Sequence, residues 1–218
     1  MVTEYKYPRN YTDAIYVSMK NKNMLRPVIE EITYNGTMET QRIKNNYTNA
    51  STITNGLILP SSIQSSSSGT GTLQTEVTFD KYNAQGKPLQ ITLKNGRITV
   101  YLWSYNYQYP IAEIKNATYE SVKAALGETL INRVAKATTP ATADITTINN
   151  LRSNTALKAA LITTYTYKPL VGMLTATDPS GITTYYDYDS FGRLKETYLI
   201  EGGVKKIVQS YNYHYKNQ

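Results

Sequence analysis

Catalysis needs a nucleophile, a titrating pair or a set of metal ligands, and this chain offers few of them. Its single histidine, His214, lies close to the last residue. One histidine makes a zinc site only with several carboxylates beside it, and none cluster there, so His214 reads as an ordinary strand residue rather than a ligand or base. The absence of cysteine removes thiolate metal sites, disulfides and cysteine nucleophiles together. Asp187 and Asp189 are two apart, the spacing that places two carboxylates on one strand face and would suit calcium or paired-acid catalysis. A turn role for Asp189 already accounts for one of them. A glycine-rich phosphate loop, a serine elbow and a His-Glu helix motif are all missing. These residues predict no enzyme, no cofactor and no metal.

What the chain has instead is 21 tyrosines against 2 phenylalanines and one tryptophan. Tyrosine suits half-buried sheet faces, where the ring packs and the hydroxyl reaches water. The competing use of the same rings, together with Trp103, is a carbohydrate-binding module that stacks sugars on exposed tyrosines. The net charge of +7 is spread evenly along the chain, and the densest basic run is Lys205-Lys206, so nucleic acid is not expected as a partner. The longest apolar stretches fall far short of the roughly 20 residues of a membrane helix, and no membrane insertion is expected. Met1 to Tyr7 lacks a basic stretch followed by an apolar core, so no signal peptide is visible. At 218 residues the chain is long enough for one or two domains with a proper core.

The elements that would position these residues are mostly strands. Thr12 or Asp13 can cap a short helix to about Lys22, with Ile15, Met19 and Tyr16 inward and Pro27 ending it. Val28 to Tyr34 reads as a strand, Asn35-Gly36 as a turn, and Thr37 to Tyr47 as the return. Leu57 to Gln64 reads as a strand whose Pro60 belongs at a sheet edge, and Ser65 to Gly71 as a mobile loop. A two-residue Asn95-Gly96 turn would pair Leu93 with Ile98, Ile91 with Val100 and Leu89 with Leu102 on one face. Between about Asn116 and Leu161 the pattern turns helical, with Val122, Leu126, Leu130 and Val134 in one stripe interrupted by Gly127, and Ile145, Ile148 and Leu151 in a second. The fold class expected is mainly β with some α: antiparallel β-hairpin repeats in a twisted sheet, a short N-terminal helix and a helical insertion. The parts are an N-terminal helix and strands over 1–72, hairpin repeats over 73–115, the insertion over 116–161, and repeats resuming over 162–218.

Self-similarity carries the rest. The best copy of a recurring unit is Tyr186-Asp187-Tyr188-Asp189-Ser190-Phe191-Gly192-Arg193-Leu194. Phe79 to Leu89, with Tyr82 and Gly86, aligns beneath it, as do Trp103 to Ile111 and Tyr165 to Leu174, the last with Tyr167 and Gly172 and one residue more in the turn. Tyr211-Asn212-Tyr213-His214 begins a fifth. Anchor tyrosines 82, 105, 167, 188 and 213 are 23, 62, 21 and 25 apart, so the helical stretch reads as an insertion into an array. Alternating tyrosines place rings on one strand face, the Asp or Asn after the anchor accepts backbone N–H bonds, and the glycine permits positive φ. Asp178-Pro179-Ser180-Gly181 supplies a further turn between copies, and Glu201-Gly202-Gly203 another.

Tyr-x-Tyr-Asp-x-x-Gly-Arg-Leu with Asp-Pro-x-Gly between copies resembles the YD repeat of Rhs proteins, closely over about 164–215 and loosely over 79–111. The resemblance implies hairpins that continue one another in a long sheet winding into a shell. In several bacterial members of that family the shell encloses a C-terminal toxin; others are secreted or surface proteins that contact carbohydrate. Carried over residue by residue, it implies a structural hairpin element made by Tyr188, Asp189, Gly192, Arg193 and Leu194. It implies as well a scaffold role in a larger secreted or cell-surface protein, with adjoining YD repeats of a parent chain as partners. Toxin activity is not implied, since no distinct domain follows the last repeat, and the repeats are too few to close a shell.

Overall fold

The computed structural model describes residues 1–67 and 71–213. Thirteen β-strands lie among the described residues, and their order in the sheet is their order in the chain. Short hairpin loops return a strand antiparallel to its predecessor, and the longer connections keep the same chain order. The mainly β architecture with a helical segment, expected from the sequence, is the one observed. The chain divides into two compact units, Met1–Ile98 and Thr99–Gln218.

The first unit contains β1 (Val2–Lys6), α1 (Ala14–Asn21), β2 (Glu30–Asn35), β3 (Met38–Thr48), the single-turn α2 (Ser51–Thr54), β4 (Leu59–Ser66), β5 (Gln74–Tyr82) and β6 (Pro88–Leu93). β1 has no apolar alternation to betray it, and four of its five residues are exposed. Pairing with β2, from Val2 opposite Tyr34 to Lys6 opposite Glu30, is what makes it a strand. α1 buries Tyr16 and Met19 with Ile29 and Ile58, and Tyr11, Ile15, Met24 and Tyr47 pack around them. It stops at Asn21, well before the expected Pro27, and Asn23 just beyond it takes a positive φ of 57°. Glu30, 5% exposed, is a buried carboxylate paired with Arg42 at 3.2 Å and Lys44 at 3.4 Å.

Two expectations are corrected in this unit. Pro60 is not at an edge: β4 lies between β3 and β5. It is tolerated because the β3–β4 ladder shifts register between Asn46 and Tyr47, beside the position where Pro60 pairs and would lack its N–H. The Asn95-Gly96 turn has three loop residues rather than two. Leu93 N–H donates to Arg97 O (3.0 Å), so Leu93 faces Arg97 and not Ile98. A two-residue turn of the expected kind needs positive φ at both central residues, but here Gly96 takes it (77°) and Asn95 does not. The Asn95 side chain accepts from Arg97 N–H at 3.1 Å instead. Of the six aliphatic residues expected together, Leu89, Val100 and Leu102 are buried and Ile91, Leu93 and Ile98 half-buried. Ser65 and Ser66 belong to β4; the rest of the expected Ser-rich loop includes 68–70, outside the described residues.

In the second unit β7 (Ile98–Ser104) and β8 (Tyr109–Lys115) lead into α3 (Tyr119–Leu126), α4 (Glu128–Lys136) and α5 (Thr142–Asn149), and β9 (Leu161–Lys168), β10 (Gly172–Thr177), β11 (Thr183–Tyr188), β12 (Leu194–Glu201) and β13 (Val204–Ser210) follow. Thr118 caps α3 by accepting from Ser121 N–H at 3.2 Å, and Gly127, at φ 80°, separates α3 from α4. Register aligns Val100 with Ile114 and Ile114 with Ile162, all buried. The helices supply Val122, Ile131, Val134 and Ile148 to the buried set, and Leu151 and Leu157 follow in short 3₁₀ turns. Arg152 ties this segment to the sheet with N–H bonds to the carbonyls of Ile162 and Thr177 (both 2.9 Å) and Asp178 (3.0 Å). β13 ends the strand order and is exposed throughout. Lys205 is drawn back onto Glu196 and sits 4.0 Å over the Tyr198 ring.

Candidate functional site

The repeated hairpin turn is the feature that the sequence singles out, and it is built the same way four times. At Asn83, Asp178 and Asp189 the first residue's N–H donates to the carbonyl four residues on, at 2.9 Å each, and the glycine three residues on donates back at 3.0 Å. Leu93 and Gly96 make the same pair of bonds at 3.0 and 2.8 Å. The glycines Gly86, Gly96, Gly181 and Gly192 have φ of 74°, 77°, 88° and 75°. Each turn is therefore a type I turn closed by a residue in the left-handed region, which an L side chain would strain. Asp178-Pro179-Ser180-Gly181, which looks like separate punctuation in the sequence, is the same turn as Asp189-Ser190-Phe191-Gly192. Three of the four share Asx at the first position and all have Gly at the fourth; the turn that begins at Leu93 lacks the Asx.

The first side chain finishes the turn. Asn83 Oδ1 accepts from Gln85 N–H (3.0 Å) and Lys87 N–H (2.9 Å). Asp189 Oδ1 accepts from Phe191 N–H (2.9 Å) and Arg193 N–H (3.0 Å). Asp178 Oδ1 accepts from Ile182 N–H at 2.9 Å and the Ser180 hydroxyl at 2.6 Å. Arg193 returns to the second oxygen of Asp189, Nε at 2.7 Å, and its guanidinium lies 4.3 Å over the Tyr213 ring. The N–H and guanidinium of Arg193 hold the Asp189 carboxyl below the usual range. The Ser180 hydroxyl and backbone N–H groups do the same for Asp178. Asp187 and Asp189 are thus not a free acid pair. Asp187 accepts from Tyr188 N–H at 3.0 Å, and Asp189 lies past the end of β11, in the turn.

Four of the five anchor tyrosines bond their hydroxyls to backbone carbonyls of the protein. Tyr82 donates to Pro60 O (2.8 Å), Tyr188 to Met173 O (2.8 Å) and Tyr213 to Leu194 O (2.8 Å). Tyr105 donates to Tyr167 O (3.0 Å) and accepts from Tyr167 N–H (2.8 Å), joining residues 62 apart. Tyr167 itself stacks on Tyr109 at 5.0 Å and meets the edge of Tyr105 at 5.9 Å. Burial raises the Tyr82, Tyr105 and Tyr188 hydroxyls above the ordinary range and pushes that of Tyr167 up to about 12. Among the described tyrosines, Tyr5 and Tyr213 are the well-exposed ones, at 48% and 44%. Rings engaged in this way leave little face on which a sugar could stack.

Gly172 corrects the sequence reading. It begins β10 in an extended conformation, not in the left-handed one, and the positive φ of its turn falls on Leu170 (64°), after Pro169. Gly172 is small because the Tyr188 ring lies where a Cβ would be, with the hydroxyl closest. The Trp103 to Ile111 copy departs further: without glycine, Tyr105, Asn106 and Tyr107 all take positive φ of 53–62°. Asn106 and Tyr107 thereby direct their N–H groups at the carbonyls of Ala137 and Ala135, at 2.9 and 3.0 Å, just past and within the last turn of α4. The expectation for His214 falls outside the described residues.

Among the described residues no group of three or more His, Cys, Asp or Glu could hold a metal, and no helix is long and apolar enough to cross a membrane. No family model matches the chain, and no curated protein matches it. Solved structures do align with it. A crystal structure of TcdB2-TccC3 without its hypervariable C-terminal region covers 91% of this chain with 10% of its own, at 15% identity and a TM-score of 0.44. TcdB2-TccC3-Cdc42 and the Photorhabdus luminescens Tc holotoxin pore with a mutated TccC3 align over the same shares, each at 13% identity and a TM-score of 0.41. The chain spans about a tenth of these structures, and similarity at this level transfers no activity to it.

Proposed function

We propose that this chain is a non-enzymatic structural and interaction segment of a larger secreted or cell-surface protein of the Rhs/YD-repeat kind, whose immediate partners are adjoining repeats. The observation that carries the proposal is the repeated turn with its tyrosine anchor. The hydroxyls of four anchors, Tyr82, Tyr105, Tyr188 and Tyr213, are bonded to a backbone carbonyl of a strand in another hairpin or beside their own, so these hairpins are fastened to their neighbours by the same chemistry. Such units are stabilised chiefly by their neighbours, as in other repeat arrays. The Asx carboxyls and amides serve backbone N–H groups rather than a substrate, which supports a scaffold over a catalyst. The low-identity likeness to TcdB2-TccC3 agrees with this reading but adds no weight to it. The test is the full open reading frame that encodes this sequence. Further copies of Tyr-x-Tyr-Asp-x-x-Gly-Arg-Leu together with an export signal are expected; a frame with neither overturns the proposal.

A further inference from the structure

An asparagine followed by glycine can react with its own backbone, because the glycine brings no Cβ to hinder the approach of its nitrogen to the side chain. The chain has three such pairs: Asn35-Gly36, Asn55-Gly56 and Asn95-Gly96. All six residues are exposed, so access to water does not tell the pairs apart. Their hydrogen bonds do.

At Asn95-Gly96 both reacting groups are held. The Gly96 N–H donates to Leu93 O at 2.8 Å, and the Asn95 side-chain oxygen accepts from Arg97 N–H at 3.1 Å. At Asn55-Gly56 the side-chain amide donates to Tyr82 O at 3.1 Å, which ties the end of α2 to β5. The Asn55 N–H donates to Ser51 O at 3.2 Å in a left-handed backbone of φ 55°. Asn35-Gly36 has neither restraint. Among the described residues no hydrogen bond holds the Asn35 side chain or the Gly36 N–H. Asn35 makes the last rung of the β2–β3 ladder, opposite Met38, and Gly36 and Thr37 form the loop. The register shift between Thr33 and Tyr34 separates this loop end from the regular ladder behind it, so the end can open without unzipping the strands.

We propose that Asn35 is a site of spontaneous deamidation in the folded chain, with Asn55 and Asn95 protected by the fold. The Gly36 nitrogen attacks Cγ of Asn35. The N–Cγ bond forms, the Cγ–Nδ2 bond breaks, and Nδ2 leaves as ammonia with the proton that Gly36 gives up. Water then opens the resulting five-membered imide at either carbonyl, yielding aspartate or isoaspartate. One water is consumed and one ammonia released, and no oxidant or reductant takes part. Either product replaces a neutral amide with a carboxylate, so modified chains separate as a more acidic species. Isoaspartate carries its main chain through Cβ and Cγ, which lengthens a two-residue loop by one atom and spoils its match to the strand ends.

Peptide mass spectrometry of the full chain, held folded in mildly alkaline buffer and sampled over time, tests the proposal. Conversion at Asn35 should be roughly fivefold or more faster than at Asn55 or Asn95, the factor that one retained hydrogen bond of ordinary strength imposes on a rate. In denaturant the three rates should converge. Asn35→Gln, whose ring closure would need a less favoured six-membered imide, should abolish the fast-forming acidic species at an unchanged melting temperature. Asn55 or Asn95 converting as fast as Asn35 in the folded chain overturns the proposal, as does an Asn35 that reacts only after unfolding. A gap of the same size in denaturant overturns it too, since the cause would then lie in the neighbouring sequence and not in the fold. None of these results bears on the repeat reading, which rests on the turns and on the parent reading frame.

Discussion

Asp189 and Gly192 share the making of one turn: the carboxylate collects N–H groups that would otherwise be unpaired, and the glycine takes the backbone conformation that closes the loop. Gly192→Ala should therefore destabilise the second unit by roughly 1–2 kcal/mol, the cost of a Cβ in the left-handed region, measured by denaturant unfolding. Asp189→Asn should be milder than Asp189→Ala, because Asn83 makes the same turn with an amide. Both Asp178 and Asp189 are held below the usual carboxyl range. A carboxyl so lowered contributes stability that is complete above about pH 4 and lost as pH falls through its folded value. Melting temperature should thus fall on acidification below about pH 4, and less steeply in the Asp178→Asn, Asp189→Asn double variant. Equal slopes would show that these turns are not the acid-sensitive part. The motif spacing makes these residues legible. Gly172 is legible only as a glycine, since its reason is a ring fifteen or more residues away that no local pattern announces. A double-mutant cycle exposes it: Gly172→Ala should cost more in the native chain than in a Tyr188→Ala background, whereas equal costs would remove the ring from the explanation.

Between elements, strain and its compensation are side by side. Leu170 is 99% exposed at a φ of 64°, so its side chain gains nothing from burial where the backbone prefers Gly or Asn. Leu170→Asn should stabilise the chain, by up to about 1 kcal/mol, and a loss instead would mean that the leucine is used by a partner or packs in solution. The run of three left-handed residues at Tyr105 to Tyr107 differs, because two of its N–H groups serve carbonyls at the end of α4. Tyr105→Phe should cost about 1–2 kcal/mol, since it removes the hydroxyl that bonds both the N–H and the carbonyl of Tyr167. The pattern of alternating residues predicted most strands and the helical stretch well, because periodicity reports which face is buried. It did not predict β1, which is defined by its partner, nor the register at Asn95-Gly96, where the choice between two loop lengths turns on one φ angle. Pro60 departs from its expected edge for a related reason: a bulge in its own strand, with Ser61 as the extra residue, can excuse a missing N–H as well as an edge can.

At the scale of the molecule, stability is unevenly placed. Val100, Ile114 and Ile162 are almost wholly buried and aligned across three strands beneath the helices, whereas β10 to β13 depend on turns, tyrosine anchors and paired hydroxyls. Val100→Asp should unfold the second unit, because an unpaired buried charge costs several kcal/mol against a total stability of about 5–15 kcal/mol. A variant that melts cooperatively near the native temperature would show the core to lie elsewhere. The same contrast favours a segment that works within an array: its repeated half is fastened hairpin to hairpin and carries little core of its own. The most direct test is the size and location of the polypeptide that bears this sequence in its source cells, read by immunoblot of fractionated culture. A species much larger than 24.5 kDa in the surface or extracellular fraction is predicted; a 24.5 kDa species confined to the cell interior would contradict the account.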